Sequence, residues 1–150
     1  MGMFTGIDAA ASGLTAERLR MDVISNNIAN ANTTRTEQGG AYHRRYVVFM
    51  PREKEIESFE DMLQQAMGYK RSTGEGVRAV GIIEDDQQGP LVYDPSHPDA
   101  NEEGYVEKPN VNIVSEMVDM ITAHRAYEAN TTAINAAKSM AMKALEISGR

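Results

Sequence analysis

An apolar stripe near the start of the chain restricts the folds open to this sequence. Four of its members recur at seven-residue spacing in a Pro-free stretch that ends at Thr33: Ile7, Leu14, Met21 and Ile28. Ile24 lies beside them on the same face. This spacing is typical of an α-helix with one buried face. Another element must cover that face, and the 150-residue chain has one comparable stretch, at its opposite end.

The second stretch runs without Pro or Gly from Ile113 to Ser148. Asn112 is its predicted N-cap, and Gly149 is suited to its end. Its predicted apolar stripe consists of Ile113, Met117, Met120, Tyr127, Ile134, Ala141 and Leu145. A helix of this length spans roughly 54 Å, and the first helix should cover about two-thirds of it. Part of the stripe is therefore expected to remain for other molecules.

Three asparagines near the end of the first helix have two interpretations. Asn26, Asn27 and Asn30 either face water at a helix end, or are buried and set the register in which helices associate. We favour the second interpretation because the neighbouring isoleucines are expected to be buried. The helix should fray near Asn30 to Asn32, because Asn tolerates a left-handed backbone conformation.

The middle of the chain is expected to form a small β-rich lobe. Residues 42–49, stopped by Pro51, and residues 77–83 predict two strands, while residues 53–73 form a variable segment with a short helix or a mobile insert. The sequence thus predicts an α+β fold, in which long N- and C-terminal helices pair as a coiled-coil-like stem. The expected divisions are an N-terminal assembly helix over 1–33, the lobe over 34–110 and a C-terminal assembly helix over 111–150.

The charge distribution argues against two classes of partner. The formal net charge is −7, and residues 34–110 carry fifteen acidic and nine basic side chains. We therefore expect no nucleic-acid partner and no binding to an anionic membrane surface. Arg44 and Arg45, which lack the glycine loop of a phosphate site, are expected to pair with acidic residues of this chain or a neighbour. Without a cleavable signal peptide or a run of roughly 20 apolar residues, no membrane insertion is expected.

Asp94, His97 and Asp99 are the strongest candidates for a metal or catalytic site. They lie close together, but Pro95 and Pro98 hold the loop extended and no fourth ligand accompanies them. A structural loop with local side-chain-to-backbone hydrogen bonds is the favoured interpretation. The chain has no Cys and no recognisable nucleophile–base pair, so we expect no enzyme, metal, cofactor or small-molecule substrate.

Two stretches resemble known signatures. The end of the first helix, SNNIANANT, resembles the signature shared by axial proteins of the bacterial flagellum. A second, longer stretch of this chain is similar to the more specific signature of the proximal rod proteins in that family: VYDPSHPDANEEGYVEKPNVNIVSEMVDMITAHRAYEAN. The resemblance implies a structural subunit of the basal-body rod, the drive shaft that spans the periplasm. It also implies contacts with itself, other rod proteins and the rod-to-MS-ring junction protein, after export by the flagellar type III apparatus without signal cleavage.

The predicted assembly interface combines both stripes and the three asparagines: Ile7, Leu14, Met21, Ile24, Asn26, Asn27, Ile28, Asn30, Met117, Met120, Tyr127, Ile134, Ala141 and Leu145. Half-covered stripes at both ends favour head-to-tail contacts and an open helical assembly. Two alternatives stay open. One is a coiled-coil adaptor or export-chaperone-like protein that forms a closed dimer, and the other is an enzyme with a site at residues 94–99.

Overall fold

Two long helices pack against each other, and two small sheets lie between them along the chain. The computed structural model describes residues 3–52, 63, 67 and 76–148. The elements are α1 (Met3–Ala29), β1 (Arg45–Pro51), β2 (Val77–Glu84), β3 (Leu91–Tyr93), β4 (Tyr105–Glu107) and α2 (Ile113–Ser148). The predicted α+β fold is confirmed. The variable segment predicted over residues 53–73 lies outside the described residues, except for Leu63 and Met67.

Asn112 caps α2 as predicted. Its Oδ1 atom accepts hydrogen bonds from the backbone N–H groups of Val114 at 3.0 Å and Ser115 at 3.2 Å. These first-turn donors have no acceptor within the helix, so the cap satisfies them. The helix runs over 36 residues from Ile113 to Ser148, which confirms the predicted start; Ser148 is the last residue that the structure describes, so the predicted end at Gly149 lies outside the described residues. Neither described helix has the length and apolarity needed to cross a membrane.

The ends of α1 differ in detail from the prediction. The helix begins at Met3, before Ile7, the first member of the predicted stripe, and ends at Ala29, before Thr33. The early end agrees with the expected fraying, but the expected cause is wrong, because only glycines among the described residues adopt a positive φ. The turn after the helix closes instead through a backbone hydrogen bond of 3.0 Å from the Thr33 N–H to the Asn30 carbonyl.

The two helices are antiparallel and approach each other through small side chains. Gly13 lies against Asn130, and a Cβ atom at Gly13 would be 2.8 Å from the Asn130 Nδ2 atom. Ala16 and Ala123 are both buried. Further along α1, Asn27 bonds to the first turn of α2, which fixes the antiparallel direction. We call the contact line that contains Gly13, Ala16, Ala123 and Asn130 the seam.

β1 and β2 form an antiparallel hairpin that packs against α1. Their register runs from Arg45 opposite Glu84 to Pro51 opposite Val77, with one bulge. The backbone N–H of Val77 donates to the Ser12 hydroxyl of α1 at 3.0 Å, which anchors the hairpin. The two predicted strands are confirmed, although β1 starts at Arg45 and includes Pro51 instead of stopping before it.

β3 and β4 form a second, smaller hairpin. Val92 pairs with Val106 and Tyr93 with Tyr105, and Val106 is buried against the rest of the chain. In the connecting loop, Asp99 accepts a hydrogen bond from the hydroxyl group of Thr34 at 2.8 Å. This bond ties the hairpin to the segment that follows α1.

Candidate assembly interface

Asn27 is completely buried at the inner face of α1, with 0% exposure. Its Oδ1 atom accepts from the Tyr42 hydroxyl at 3.0 Å and from the Arg45 backbone N–H at 2.9 Å. Its Nδ2 group donates to the Arg45 carbonyl at 2.7 Å and to the Glu116 carboxylate at 2.9 Å. All four hydrogen-bonding positions of the amide are therefore used, which makes its burial tolerable.

Glu116, in the first turn of α2, is also 0% exposed. One of its carboxylate oxygens accepts from Asn27, and the other accepts from the Arg44 Nε at 2.6 Å. The guanidinium of Arg44 also reaches Asp119 at 3.2 Å, so the prediction that Arg44 pairs with acidic residues is confirmed. A buried carboxylate costs several kcal/mol unless it is paired and hydrogen-bonded in this way. We call five residues the junction: Asn27, Tyr42, Arg44, Arg45 and Glu116.

The junction joins α1, the segment that enters β1, and α2. Burial raises the pKa of Tyr42; Arg45 lowers this pKa, and the carboxylates of Glu84 and Glu116 raise it further. The Tyr42 hydroxyl therefore stays protonated and able to donate to Asn27. Arg45 pairs with Glu84, with 2.9 Å between Nε and Oε1. The Asn27–Glu116 bond spans 89 residues of sequence, so the junction holds distant parts of the chain in one register.

The other two asparagines make local hydrogen bonds. Asn26 is exposed and donates to the Asp22 carbonyl at 2.9 Å. Asn30 is half-buried and donates to the Asn26 carbonyl at 2.9 Å. Of the three asparagines, only Asn27 is buried in the way that a register-setting role requires.

The buried face of α1 is centred beside the predicted stripe. Ile24 is buried, and the other predicted members are half-buried: Ile7, Leu14, Met21 and Ile28. Ala16 and Val23, which were not in the predicted interface, are buried instead. An Ala-rich helix has apolar residues on more than one face, so seven-residue spacing alone does not identify which flank meets the second helix.

The predicted stripe of α2 divides into two groups. The half-buried group recurs at seven-residue intervals on the face of Ala123: Met120, Tyr127, Ile134 and Ala141. The other group is exposed: Ile113, Met117 and Leu145. Ile113, in the first turn of α2, precedes Met120 by seven residues, whereas Met117 lies three and four residues from the exposed Val114 and Ile121. Leu145 continues the face of Ala141 but lies beyond the N-terminal end of α1, which is antiparallel to α2.

Two apolar surfaces of α2 are uncovered in the part of the chain that the structure describes. The first, the outer stripe, has side chains between 53% and 71% exposed: Val114, Met117, Val118 and Ile121. The second, the C-terminal patch, has side chains between 55% and 78% exposed: Met140, Met142, Leu145 and Ile147. The pairing of Gly13 with Asn130 puts Met3 level with Met140, so most of this patch projects beyond α1.

Sequence reasoning missed most of the outer stripe and the junction partners of Asn27. Val114, Val118 and Ile121 follow the three- and four-residue steps of a helix face, and a second apolar face could have been assigned from that spacing. Glu116 was not among the residues of the predicted interface. No local signal marks its contact with Asn27, because the two residues meet only through the tertiary fold.

Comparisons with known proteins match both ends of the chain and its whole length. The family model described as Flagella basal body rod protein matches residues 7–35, and that described as Flagellar basal body rod FlgEFG protein C-terminal matches residues 102–147. The Flagellar basal-body rod protein FlgC of Borreliella burgdorferi is 50% identical over 151 residues, covering 98% of each chain. The protein of the same name from Bacillus subtilis is 49% identical over 150 residues, or 98% of this chain and 99% of the relative. That of Escherichia coli is 36% identical over 147 residues, or 98% of each chain.

The chain belongs to the FlgC family of flagellar basal-body rod proteins. It is therefore a structural subunit of the rod in the flagellar basal body, and the family inferred from its two signatures is confirmed. These FlgC relatives are rod proteins by name, which favours the rod over the closed-dimer adaptor. The two matched regions contain Asn27 and Glu116 respectively, so each region supplies one side of the junction.

The loop at Asp94 in this FlgC-family chain makes the local hydrogen bonds expected of a structural loop. The hydroxyl and backbone N–H groups of Ser96 donate to the Asp94 Oδ1 at 2.6 Å and 3.1 Å, and these bonds lower the pKa of Asp94. The Asp99 N–H donates to the His97 Nδ1 at 3.1 Å. The structure, where it describes the chain, brings no three possible metal-ligating side chains together.

Proposed function

We propose that this rod subunit is held in the rod through the outer stripe and the C-terminal patch of α2. One observation carries the proposal. The intrachain seam is built from small and polar residues, such as Gly13, Ala16 and Ala123, whereas eight large apolar side chains of the outer stripe and the C-terminal patch are exposed. Large exposed apolar patches mark interaction sites, and these side chains have no cover in the described part of this chain.

Burying the two surfaces would supply substantial stabilisation. Complete burial of a Val, Leu, Ile or Met side chain contributes about 1.5–3 kcal/mol. Since each of the eight side chains is more than half exposed, each retains roughly 1–2 kcal/mol of unused burial energy. The half-buried flank of α1, which includes Leu14 and Met21, would add to an interface that meets both helices.

The position of the two surfaces favours an open assembly. The outer stripe lies at the beginning of α2 and the C-terminal patch at its end, and their residues differ. Contacts between two different surfaces are heterologous, and such contacts extend into a helical assembly when their rotation does not close. A single self-complementary surface would give a closed dimer instead.

The partners in this proposal are further copies of the chain, other rod proteins and the rod-to-MS-ring junction protein. The chain would reach them by export through the flagellar type III apparatus, without a cleaved signal peptide. The two ends of the chain are near neutral: residues 1–33 carry three acidic and two basic side chains, and residues 111–150 carry four of each. Helices with so little net charge can pack against those of other subunits without strong repulsion, while the acidic lobe remains hydrated.

The proposal is tested by placing charges in the C-terminal patch. Leu145→Asp combined with Ile147→Asp should abolish recovery of the chain in purified basal bodies and should abolish motility, because two carboxylates would have to be desolvated in the interface. The matched control is Ser139→Asp, which adds a carboxylate at an exposed polar position of the same helix. Circular dichroism should show both variants folded. Normal incorporation of the double variant would refute the proposal.

A further inference from the structure

The hairpin of β3 and β4 has an exposed apolar face that the helices do not cover. Tyr93 and Tyr105 are paired across it, with ring centroids 5.2 Å apart in an edge-to-face arrangement. Leu91 lies opposite Glu107 on the same face. The side chains of Leu91 and Tyr93 are 66% and 65% exposed. We call the surface formed by Leu91, Tyr93, Tyr105 and Glu107 the tyrosine face.

The tyrosine face is held rigidly by its connecting loop. Asn101 accepts hydrogen bonds through Oδ1 from the backbone N–H groups of Glu103 at 3.0 Å and Tyr105 at 2.8 Å. Gly104 has a φ of 82°, and a Cβ atom there would be 3.0 Å from the Tyr93 ring, so the ring packs directly on the glycine. A surface ordered before binding loses less conformational entropy when a partner docks.

Carboxylates dominate the charges of this hairpin, although Lys108 follows directly after β4 and lowers the pKa of Asp94. Residues 91–107 contain five carboxylates and neither Lys nor Arg. Asp99 is already engaged by Thr34 and by Arg35, whose guanidinium lies 3.6 Å away. Glu102 and Glu103 are exposed on the loop. The face therefore combines two aromatic rings with an acidic surround that has no cation in its own strands or loop.

We propose that the tyrosine face docks a basic segment of another protein, one that presents Arg or Lys beside an apolar side chain. A cation over a tyrosine ring is stabilised by the ring quadrupole, and a guanidinium can bond a carboxylate such as Glu107 while it stacks. The apolar side chain would cover Leu91. A second copy of this chain fits less well, because its net charge is −7. This contact is separate from the two surfaces of α2 and does not depend on their role.

The partner can be identified by site-specific crosslinking in assembled basal bodies. A photo-reactive phenylalanine analogue is placed at Leu91, and the control analogue is placed at Val80, which is similarly exposed on the other hairpin. Mass spectrometry of the Leu91 crosslink should identify a peptide of another protein that has net positive charge and an apolar residue. A crosslink to a second copy, to a neutral or acidic segment, or no crosslink in incorporated chains would overturn the proposal.

Charge reversal supplies an independent measurement. Glu102→Lys with Glu103→Lys should reduce the Leu91 crosslink per incorporated chain by about threefold or more, since each exposed ion pair changes binding by a small factor. The matched control is Glu37→Lys with Asp86→Lys, two exposed acids elsewhere on the lobe. Equal crosslink yields in the two variants would contradict the electrostatic argument. Failure of the α2 proposal would give a different result, because that proposal predicts whether the chain is incorporated into basal bodies, whereas this one predicts the crosslink yield of chains already incorporated.

Discussion

Replacement of Asn27 by Ala removes the side chain on which the junction depends. The amide bonds both backbone groups of Arg45, the hydroxyl of Tyr42 and the carboxylate of Glu116. Among the described residues of α1, Asn27 alone donates a side-chain hydrogen bond to Glu116. After the substitution, one oxygen of the Glu116 carboxylate would remain buried without its donor.

The expected loss can be worked out from these bonds. A neutral hydrogen bond contributes about 0.5–1.5 kcal/mol, and a bond to a charged group contributes about 1.5–3 kcal/mol. Orphaned buried groups add their desolvation cost, and breaking a buried charged pair typically destabilises by 3–5 kcal/mol. We expect Asn27→Ala to lower the free energy of unfolding by about 3–5 kcal/mol, a large fraction of the roughly 5–15 kcal/mol of a typical protein. Asn27→Asp should cost at least as much, because it places a second carboxylate beside Glu116.

Equilibrium urea unfolding of the purified chain, followed by far-UV circular dichroism, measures this loss. Asn26→Ala is the matched control, because Asn26 is the adjacent residue, is exposed and bonds only its own helix. Its effect should stay within about 0.5 kcal/mol. A double-mutant cycle of Asn27→Ala with Glu116→Gln should give a coupling energy of about 1.5–3 kcal/mol. The reasoning is refuted if Asn27→Ala costs less than about 1 kcal/mol or no more than the control.

Four further substitutions test other parts of the structure. Gly6→Ala should raise the free energy of unfolding by about 0.5–1 kcal/mol through helix propensity, whereas Gly13→Ala should raise it less, because the Asn130 side-chain amide must shift to make room across the seam. Equal effects of the two substitutions on urea unfolding would contradict the close approach at Gly13. Ile134→Asp should destabilise the helix pair by about 2–4 kcal/mol and prevent incorporation into basal bodies, because Ile134 is half-buried. Normal motility of cells that carry this variant would contradict the prediction. Ser96→Ala should raise the pKa of Asp94 toward its ordinary value of 3.8, as measured by NMR titration of the carboxyl carbon. Because the folded-state pKa is lowered, stabilisation by ionised Asp94 is present above pH 3.8 and is lost as the pH falls through the lowered pKa.

The parts of the fold that depend on local rules could be predicted from the sequence. Asn112 caps α2 because its side chain reaches amides two and three residues ahead, a relation visible in any sequence. The absence of Pro and Gly from the next 36 residues then predicts an uninterrupted helix. The strands observed at residues 45–51 and 77–84 were predicted over residues 42–49 and 77–83, because β-branched residues between turn signals favour extended backbone.

The junction could not be predicted, because its bonds connect residues that are far apart in sequence. Three asparagines stand close together in the chain, yet only Asn27 is on the face that meets both Glu116 and the backbone of Arg45. Selecting it requires the rotation of α1 about its axis. That rotation is determined by the close approach at Gly13 and Ala16, residues that carry too little apolar surface to stand out in a hydrophobic pattern.

The seam and the uncovered surfaces of α2 are two consequences of one distribution of side chains. In a coiled coil that is stable alone, large aliphatic residues face the partner helix. Here Gly and Ala occupy much of the seam, while Val114, Val118 and Ile121 face outward. A pair built in this way gains less from apolar burial than such a coiled coil does, and the junction fixes its register. Because that register also sets where the outer stripe lies relative to α1, Asn27→Ala should reduce incorporation into the rod without altering any residue of the outer stripe or the C-terminal patch.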